Sequence, residues 1–534
     1  MGEKADRVLL NGKIVTVDEE FSIHEAIAIR GGRILSVGST EELKGLISPE
    51  TAVVDLHGKT VTPGFVDSHN HTVEYGFSGL VLDLRYPNVK SIADIKGLVE
   101  EATEAKPRGH WIRGVGWDEA LLEERRNPTR FDLDPVSPDH PVILDAQTPY
   151  QVANTRAHEL VDHVCGDDYD GVLSTGDIAY RMRLLSRDYS VEECEEAILK
   201  AQGELFKVGV TAQKEAGATD TMIEAYRGLH ARDELKIRSF IMIGIHNGRT
   251  SIQLARDAVS KYSPGGDDTL YVGAVKCSFD GSGGNRTAWL YEPWNLDYTG
   301  LDGDNVGGPI VAEPDTYPEI CKVIHGAGFQ IGAHCVGDRT IDAYLDAIEA
   351  AIADDPRMNC RHSVIHNNLP TDSALRRETA LGDNIVVEAT SAYLYFIGDT
   401  YASNFGPHRS RRLIPLRTLM DRGIAVGQGC DWNTCLVNPL YGLYAATARR
   451  PRKGVHGLQP FGTDECVTME RALRTYTMGS AYCMFWERNI GSLEPGKYAD
   501  LVIWRDDFLS SRGEEILNNR VESTMVAGEV VYEA

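Results

Sequence analysis

Val61-Thr-Pro-Gly-Phe-Val-Asp-Ser-His-Asn-His71 is the stretch on which the reading of this chain turns. Its apolar run predicts a strand, and the two-residue repeat of a strand puts His69 and His71 on one side of it. Two imidazoles converging from a strand end form half of a metal site, because neutral imidazole nitrogen is the commonest ligand of zinc-like ions. A His-x-His pair alone is equally well a packed or surface pair. The chain that follows shifts the balance. Strand-like segments ending in Lys276, His334, His366 and Asp431 come in order, each with a helix-like segment after it.

Eight candidate strands can be marked, at 63–71, 208–216, 236–245, 270–279, 328–336, 361–366, 384–390 and 423–431. Most have helical patterns between them. One helix is well bounded, starting at the Ser190-Val-Glu-Glu193 capping box and ending at Gly209. Eight such units predict an α/β fold of the (β/α)8 TIM-barrel type over residues 61–484, with an open doubly wound sheet as the alternative. The candidate ligands favour the barrel, because they fall at the C-terminal ends of different strands, where barrel active sites are built.

Outside that span the pattern is β. Ala26-Ile-Ala-Ile-Arg-Gly-Gly-Arg-Ile-Leu-Ser-Val37 is two alternating runs around a Gly-Gly turn, a hairpin signal. Ala499–Trp504 and Thr524–Tyr532 read as further short strands. Neither end has enough strands to bury a sheet face alone, so residues 1–60 and 485–534 are expected to form one small composite β-sandwich. The interval 78–200 is too long for a single crossover and is read as a subdomain inserted after the first strand, over the barrel mouth, where insertions shape substrate access. A plain surface elaboration is the alternative.

The 534 residues suffice for a large core. A formal charge of −25 argues against a nucleic-acid partner, since phosphate binding wants a basic face. No apolar run reaches transmembrane length, so no membrane partner is expected. The N-terminus lacks a signal-like apolar stretch, and the ten cysteines contain no Cys-x-x-Cys pair. These features predict a cytoplasmic protein with reduced thiols and a small-molecule substrate; a homodimer stays open.

Several segments together resemble the amidohydrolase superfamily, specifically its amidohydrolase 3 or YtcJ-like branch, which includes N-substituted formamide deformylase. They are Pro63–His71, Val275-Lys-Cys-Ser-Phe-Asp-Gly-Ser-Gly-Gly-Asn-Arg-Thr-Ala288, Ile331-Gly-Ala-His-Cys-Val-Gly-Asp338, Arg361-His-Ser-Val-Ile-His366, Gly427-Gln-Gly-Cys-Asp431 and the return segment Gly491–Leu501. The likeness spans nearly the whole chain. Two departures stand out. Tyr150, in Thr148-Pro-Tyr-Gln-Val-Ala-Asn-Thr155, replaces a branch histidine, and Gln213-Lys-Glu215 stands where many relatives have His-Asp. If those positions face the cavity, substrate choice should differ.

The resemblance implies a chemistry. His69 and His71 would hold one divalent ion, His334 and His366 a second, with zinc the expected metal and one or two ions per chain. Lys276, carboxylated by carbon dioxide, would bridge them; an ion pair of Lys276 with Asp280 or Glu215 is the competing reading. Asp431 would orient a metal-bound hydroxide, take its proton and pass it to the leaving nitrogen. His362 and Asp338 are candidates to hold the ligands in position. Tyr150, Glu215 and Trp289 are candidates to touch substrate or support the ligands, and Trp117, Tyr393 and Trp432 are further aromatics near predicted mouth segments. The expected reaction is hydrolysis of a C–N bond in an amide, formamide, carbamate or cyclic amide. A metal-dependent lyase or C–C hydrolase, and a non-catalytic regulator, are the alternatives.

Overall fold

A sheet of eight parallel strands carries the site. In chain order they are β1 (Phe65–Asn70), β2 (Val210–Ala218), β3 (Arg238–Gly244), β4 (Leu270–Ser278), β5 (Gln330–Cys335), β6 (His362–His366), β7 (Ile385–Ala389) and β8 (Val426–Gln428). Each pairs in parallel with the next. The computed structural model describes residues 3–534 apart from 79–80, 86, 118–121, 147–150, 174–188, 246–249, 285, 296–303, 310–313, 433 and 453–461. All eight strands lie where the sequence pattern puts them. The strands are buried on both faces, and this is why they read as near-continuous apolar runs rather than alternating ones.

The sheet nearly closes on itself at the β8–β1 seam. Past the end of β8, the Asp431 N–H donates to the His69 carbonyl (3.0 Å) and the Cys430 N–H to Asp67 Oδ1 (3.1 Å). Trp432 N–H donates to Asn70 Oδ1 (3.1 Å). Gly429 is required at this seam, since a Cβ there would sit 2.5 Å from the His69 carbonyl oxygen. The motif Asp67–His71 therefore closes the barrel as well as presenting its histidines.

The chain divides into two compact units, residues 73–197 and the remainder. In the larger unit, Leu501–Trp504 pairs antiparallel with Thr60–Pro63, so strands from both chain ends share a six-stranded sheet. A second sheet holds Arg7–Leu10, Ala26–Arg30, Arg33–Gly38 and Ala52–Asp55. Its hairpin turns through Gly31 and Gly32, both at positive φ (55° and 74°), the conformation a two-residue hairpin turn demands. Leu9, Ile27 and Ile29 from this sheet meet Val61, Leu501 and Ile503 from the other in one apolar core. Arg238 at the start of β3 makes a two-pronged ion pair with Asp500 (2.6 and 3.1 Å), both almost fully buried, tying the barrel to the end sheet.

The smaller unit has its own four-stranded sheet, Leu82–Asp83, Ile112–Trp117, Val142–Ala146 and Gln151–Ala153. The helix Ile92–Ala105 starts at a Ser91–Asp94 capping box and buries Ile92, Ile95 and Val99 in its core. Trp117, read from sequence as a pocket aromatic, is instead part of that core, fully buried with its Nε1–H on Asn127 Oδ1 (2.9 Å). The predicted capping box is present, with Ser190 and Glu193 exchanging hydrogen bonds at the start of Val191–Lys207. All ten cysteines are free thiols. Among the described residues no helix is long and apolar enough to cross a membrane.

Candidate metal centre

His69 and His71 lie at and just beyond the end of β1, Lys276 and His334 near the ends of β4 and β5, His366 at the end of β6, and Asp431 just past β8. The parallel barrel brings these strand ends to one rim. His69 Nε2 and His71 Nε2 lie 3.5 and 3.4 Å from Asp431 Oδ1. Lys276 Nζ lies 3.4 Å from His69 Nε2. The His366 ring is 5.1 Å from His69 and 4.6 Å from His334, centroid to centroid. All six expected ligands are thus gathered, His334 and His366 on one side of the His69–His71–Asp431 group.

These separations fit a divalent ion better than a hydrogen-bond network. Ligand atoms on a tetrahedral ion with bonds of about 2.0–2.1 Å stand about 3.3–3.4 Å apart, whereas hydrogen-bonded N and O atoms approach to about 2.9 Å. The protonation states agree. Burial pulls the His69 imidazole down to about 3, with the Lys276 charge adding to it. Burial also pulls His334 to about 4 and His366 well below its usual range. Neutral imidazole is the ligating form. For Asp431, burial alone would raise the carboxyl, but the facing His69 and His71 outweigh it and hold it well below the usual range. Burial lowers Lys276 to about 8, against the opposing pull of Asp431 and Glu388, which makes a neutral amine accessible.

Asp431 and His366 are both at positive φ (54° and 72°), as is Asn367 (45°). Non-glycine residues held there cost roughly 1–3 kcal/mol each and cluster at functional sites. Tyr393, expected to line a pocket, hydrogen-bonds Asp431 Oδ2 and stacks on His366 at 5.4 Å.

The remaining candidates are placed differently. His362 does not support a ligand. It begins β6, four residues from His366, so the two share a face but stand about 13 Å apart along the strand. Its Nδ1 accepts the Ile331 N–H (3.0 Å) and its Nε2 meets His325 Nδ1 (2.9 Å). His325 Nε2 in turn meets the Asp355 carbonyl (2.8 Å), which completes a satisfied chain of hydrogen bonds. Asp338 opens the helix Asp338–Asp354, and its Oδ1 accepts the backbone N–H groups of Tyr291 (2.9 Å) and Arg339 (2.8 Å). Trp289 lies under the Arg339 guanidinium at 4.3 Å, and its N–H donates to Asp280 Oδ2 (3.1 Å). Glu215 accepts the Tyr226 hydroxyl (2.9 Å), to which Gln213 Nε2 also donates (3.2 Å). Asp280, the alternative partner of Lys276, takes the N–H groups of Val336 and Gly337 and faces His334 Nε2 at 3.8 Å. Tyr150 lies outside the described residues.

Sequence reasoning missed the layer beneath the ligands. Lys214 on β2 and Glu388 on β7 form a fully buried ion pair inside the barrel. Glu388 Oε2 lies 3.9 Å from His69 Nδ1. Asp67 was missed as well. It accepts the His69 and Cys430 N–H groups (3.1 Å each), and burial raises its carboxyl to about 7. Only its position two residues before His69 hinted at this role.

Fold and site together define a metal-dependent hydrolase built on a barrel. The model of the amidohydrolase family matches residues 52–532, and the chain belongs to that family. It is 27% identical to the N-substituted formamide deformylase of Arthrobacter pascens, over all of this chain and 99% of that one. It is 28% identical to Protein LONG AFTER FAR-RED 3 of Arabidopsis thaliana, over 99% of this chain and 92% of that one. Among solved structures, a metal-dependent hydrolase of Pyrococcus horikoshii superposes with a TM-score of 0.80 at 25% identity, covering 95% of this chain and 99% of that chain.

Proposed function

We propose that this protein hydrolyses a C–N bond of a small molecule, in an amide, formamide, carbamate or cyclic amide. The observation that carries the reading is the convergence of His69 Nε2, His71 Nε2 and Asp431 Oδ1 at ligand-like spacings beside the buried Lys276 amine. Zinc, one or two ions per chain, is the proposed metal, held by His69, His71, His334, His366 and Asp431. When bound, such an ion supplies Lewis acidity toward an acyl oxygen and toward water.

The chain's own groups do the rest. Lys276 as a neutral amine would add carbon dioxide, losing one proton, to give a carbamate that would offer two further ligand oxygens. Asp431 takes the proton of the attacking water and returns it to the leaving nitrogen, which is too poor a leaving group as an anion. The Tyr393 hydroxyl on Oδ2 fixes the carboxylate plane, keeping Oδ1 turned toward His69 and His71. In this reading the two end sheets form a composite β-sandwich, residues 78–200 are an insertion that shapes substrate access, and the protein works in the cytoplasm.

Elemental analysis of purified, active protein tests the metal, and activity without any bound divalent metal overturns it. A panel of amides and formamides scored for released amine, ammonia or formate tests the bond cleaved. Products of C–C cleavage or elimination would place the protein in the lyase or C–C hydrolase class. Reconstituting the stripped protein with zinc in bicarbonate-free buffer should lower activity, with recovery on adding bicarbonate. Full activity without bicarbonate, with a bare Lys276 amine, refutes the carbamate.

A further inference from the structure

The interior of a (β/α)8 barrel is normally packed with branched apolar side chains. Here it holds a charge pair. Lys214 and Glu388 have no solvent exposure, and removing two charges from water is costly unless the geometry repays it. The pair is rigidly held. Lys214 Nζ bonds Glu388 Oε1 and donates to Gln330 Oε1 (2.7 Å), while Gln330 Nε2 donates to the backbone carbonyls of Arg361 and Cys483 (2.5 and 3.0 Å). One carboxylate oxygen is therefore committed to the ammonium. The other, Oε2, is buried without a hydrogen-bond partner among the described residues, and so is His69 Nδ1, 3.9 Å away. Two unsatisfied buried atoms of complementary kind face each other across a gap slightly too long for a hydrogen bond.

We propose that Glu388 is a positioning residue for His69, accepting the imidazole Nδ1–H when Nε2 takes a metal ion, with Lys214 as the buried counter-charge that holds Glu388 in place. The inference rests on the metal-centre reading above. Ligation through Nε2 puts the ring proton on Nδ1, where a buried N–H needs an acceptor, and a metal-bound histidine ordinarily gives that proton to a carboxylate or carbonyl. A drop of less than 1 Å in the 3.9 Å gap would make the bond. The oxygen is aimed by Lys214, so an ordinarily unfavourable core ion pair orients the imidazole plane toward Asp431 and Lys276.

The test is zinc affinity of the stripped protein, measured by competition with a chromophoric chelator, alongside thermal unfolding of the metal-free form. E388Q should weaken zinc binding roughly 10–100-fold and remove the downfield Nδ1–H proton resonance of His69 in the zinc-loaded protein. A K214M/E388L double variant, which removes both charges together and keeps volume, guards against a single variant that fails to fold, and should show the same loss. A merely structural pair would shift the unfolding temperature of the metal-free form and leave the zinc Kd unchanged, and that outcome overturns the proposal. If wild-type protein binds no zinc at all, the metal-centre reading falls as well; if wild type binds and both variants bind equally tightly, only this inference falls.

Discussion

Replacing Asp431 by Asn removes one proton-accepting atom and little else. The side chain keeps its shape. Its backbone N–H still closes the barrel on the His69 carbonyl, and one amide oxygen can still face either Tyr393 or the two imidazoles. An amide cannot accept the water proton, nor return it to nitrogen. One general acid–base role is worth about 10²–10⁴ in rate, or about 2.7–5.4 kcal/mol of barrel-centred transition-state stabilisation at about 1.36 kcal/mol per decade. In the proposed reaction Asp431 performs two transfers, so kcat is expected to fall by at least about 10⁴. KM should change far less, because substrate grip does not depend on that proton. The assay pairs steady-state kinetics on whichever amide the panel identifies with the metal content of the same sample. A metal-replete Asp431→Asn enzyme turning over near the wild-type rate would refute the reasoning and move the base to another group.

Three further outcomes are expected. Asp500→Asn should destabilise the protein by about 3–5 kcal/mol, since it leaves the Arg238 guanidinium buried without its counter-ion; an unchanged urea midpoint counts against a structural role for that pair. Gly429→Ala forces a Cβ to within 2.5 Å of the His69 carbonyl oxygen, so it should cost about 1–3 kcal/mol and lower metal content together; a fully metallated, equally stable variant would show that the seam can yield. Glu378 is buried, with one oxygen on Asn367, and burial raises it to about 8. A carboxyl whose folded value lies above its unfolded one weighs nothing below the unfolded value and costs stability as pH climbs toward the folded one. Glu378→Gln, always neutral, should therefore gain stability over wild type progressively from pH 5 to 8, and an unfolding-temperature difference flat across that range contradicts it.

The barrel was legible because strand-like runs recur with helical patterns between most of them, because five of the eight end at a candidate ligand, and because strand ends of a parallel barrel share one rim. His362, expected to hold the ligands in position, lies away from them. Even spacing puts it on the face of His366, but periodicity says nothing about distance along the strand, and His362 belongs to the opposite end. Trp117 was misread for a related reason, since an aromatic beside a turn signals burial without saying in which core. The pairing of Lys214 with Glu388 gave no signal, although Lys214 falls in the Gln213–Glu215 departure. Glu388 is a single charge inside an otherwise apolar strand, Lys214 stands between Gln213 and Glu215, and their pairing depends on β2 and β7 facing each other across the barrel, a relation that no local pattern encodes.

Function and fold meet at the β8–β1 seam. Asp67 binds the N–H groups of His69 and Cys430, Asn70 binds that of Trp432, and His69 offers its carbonyl to Asp431. Each residue that fastens the seam is itself a candidate site residue or lies within two residues of one. The positive φ of Asp431 is the backbone cost of turning its carboxylate back toward the two imidazoles immediately after β8. The hydrogen bonds of the seam offset that cost, and they form where the end of β8 lies beside the end of β1. The Asp431 carboxylate and the His69–His71 pair are therefore brought together at the same seam where the barrel nearly closes.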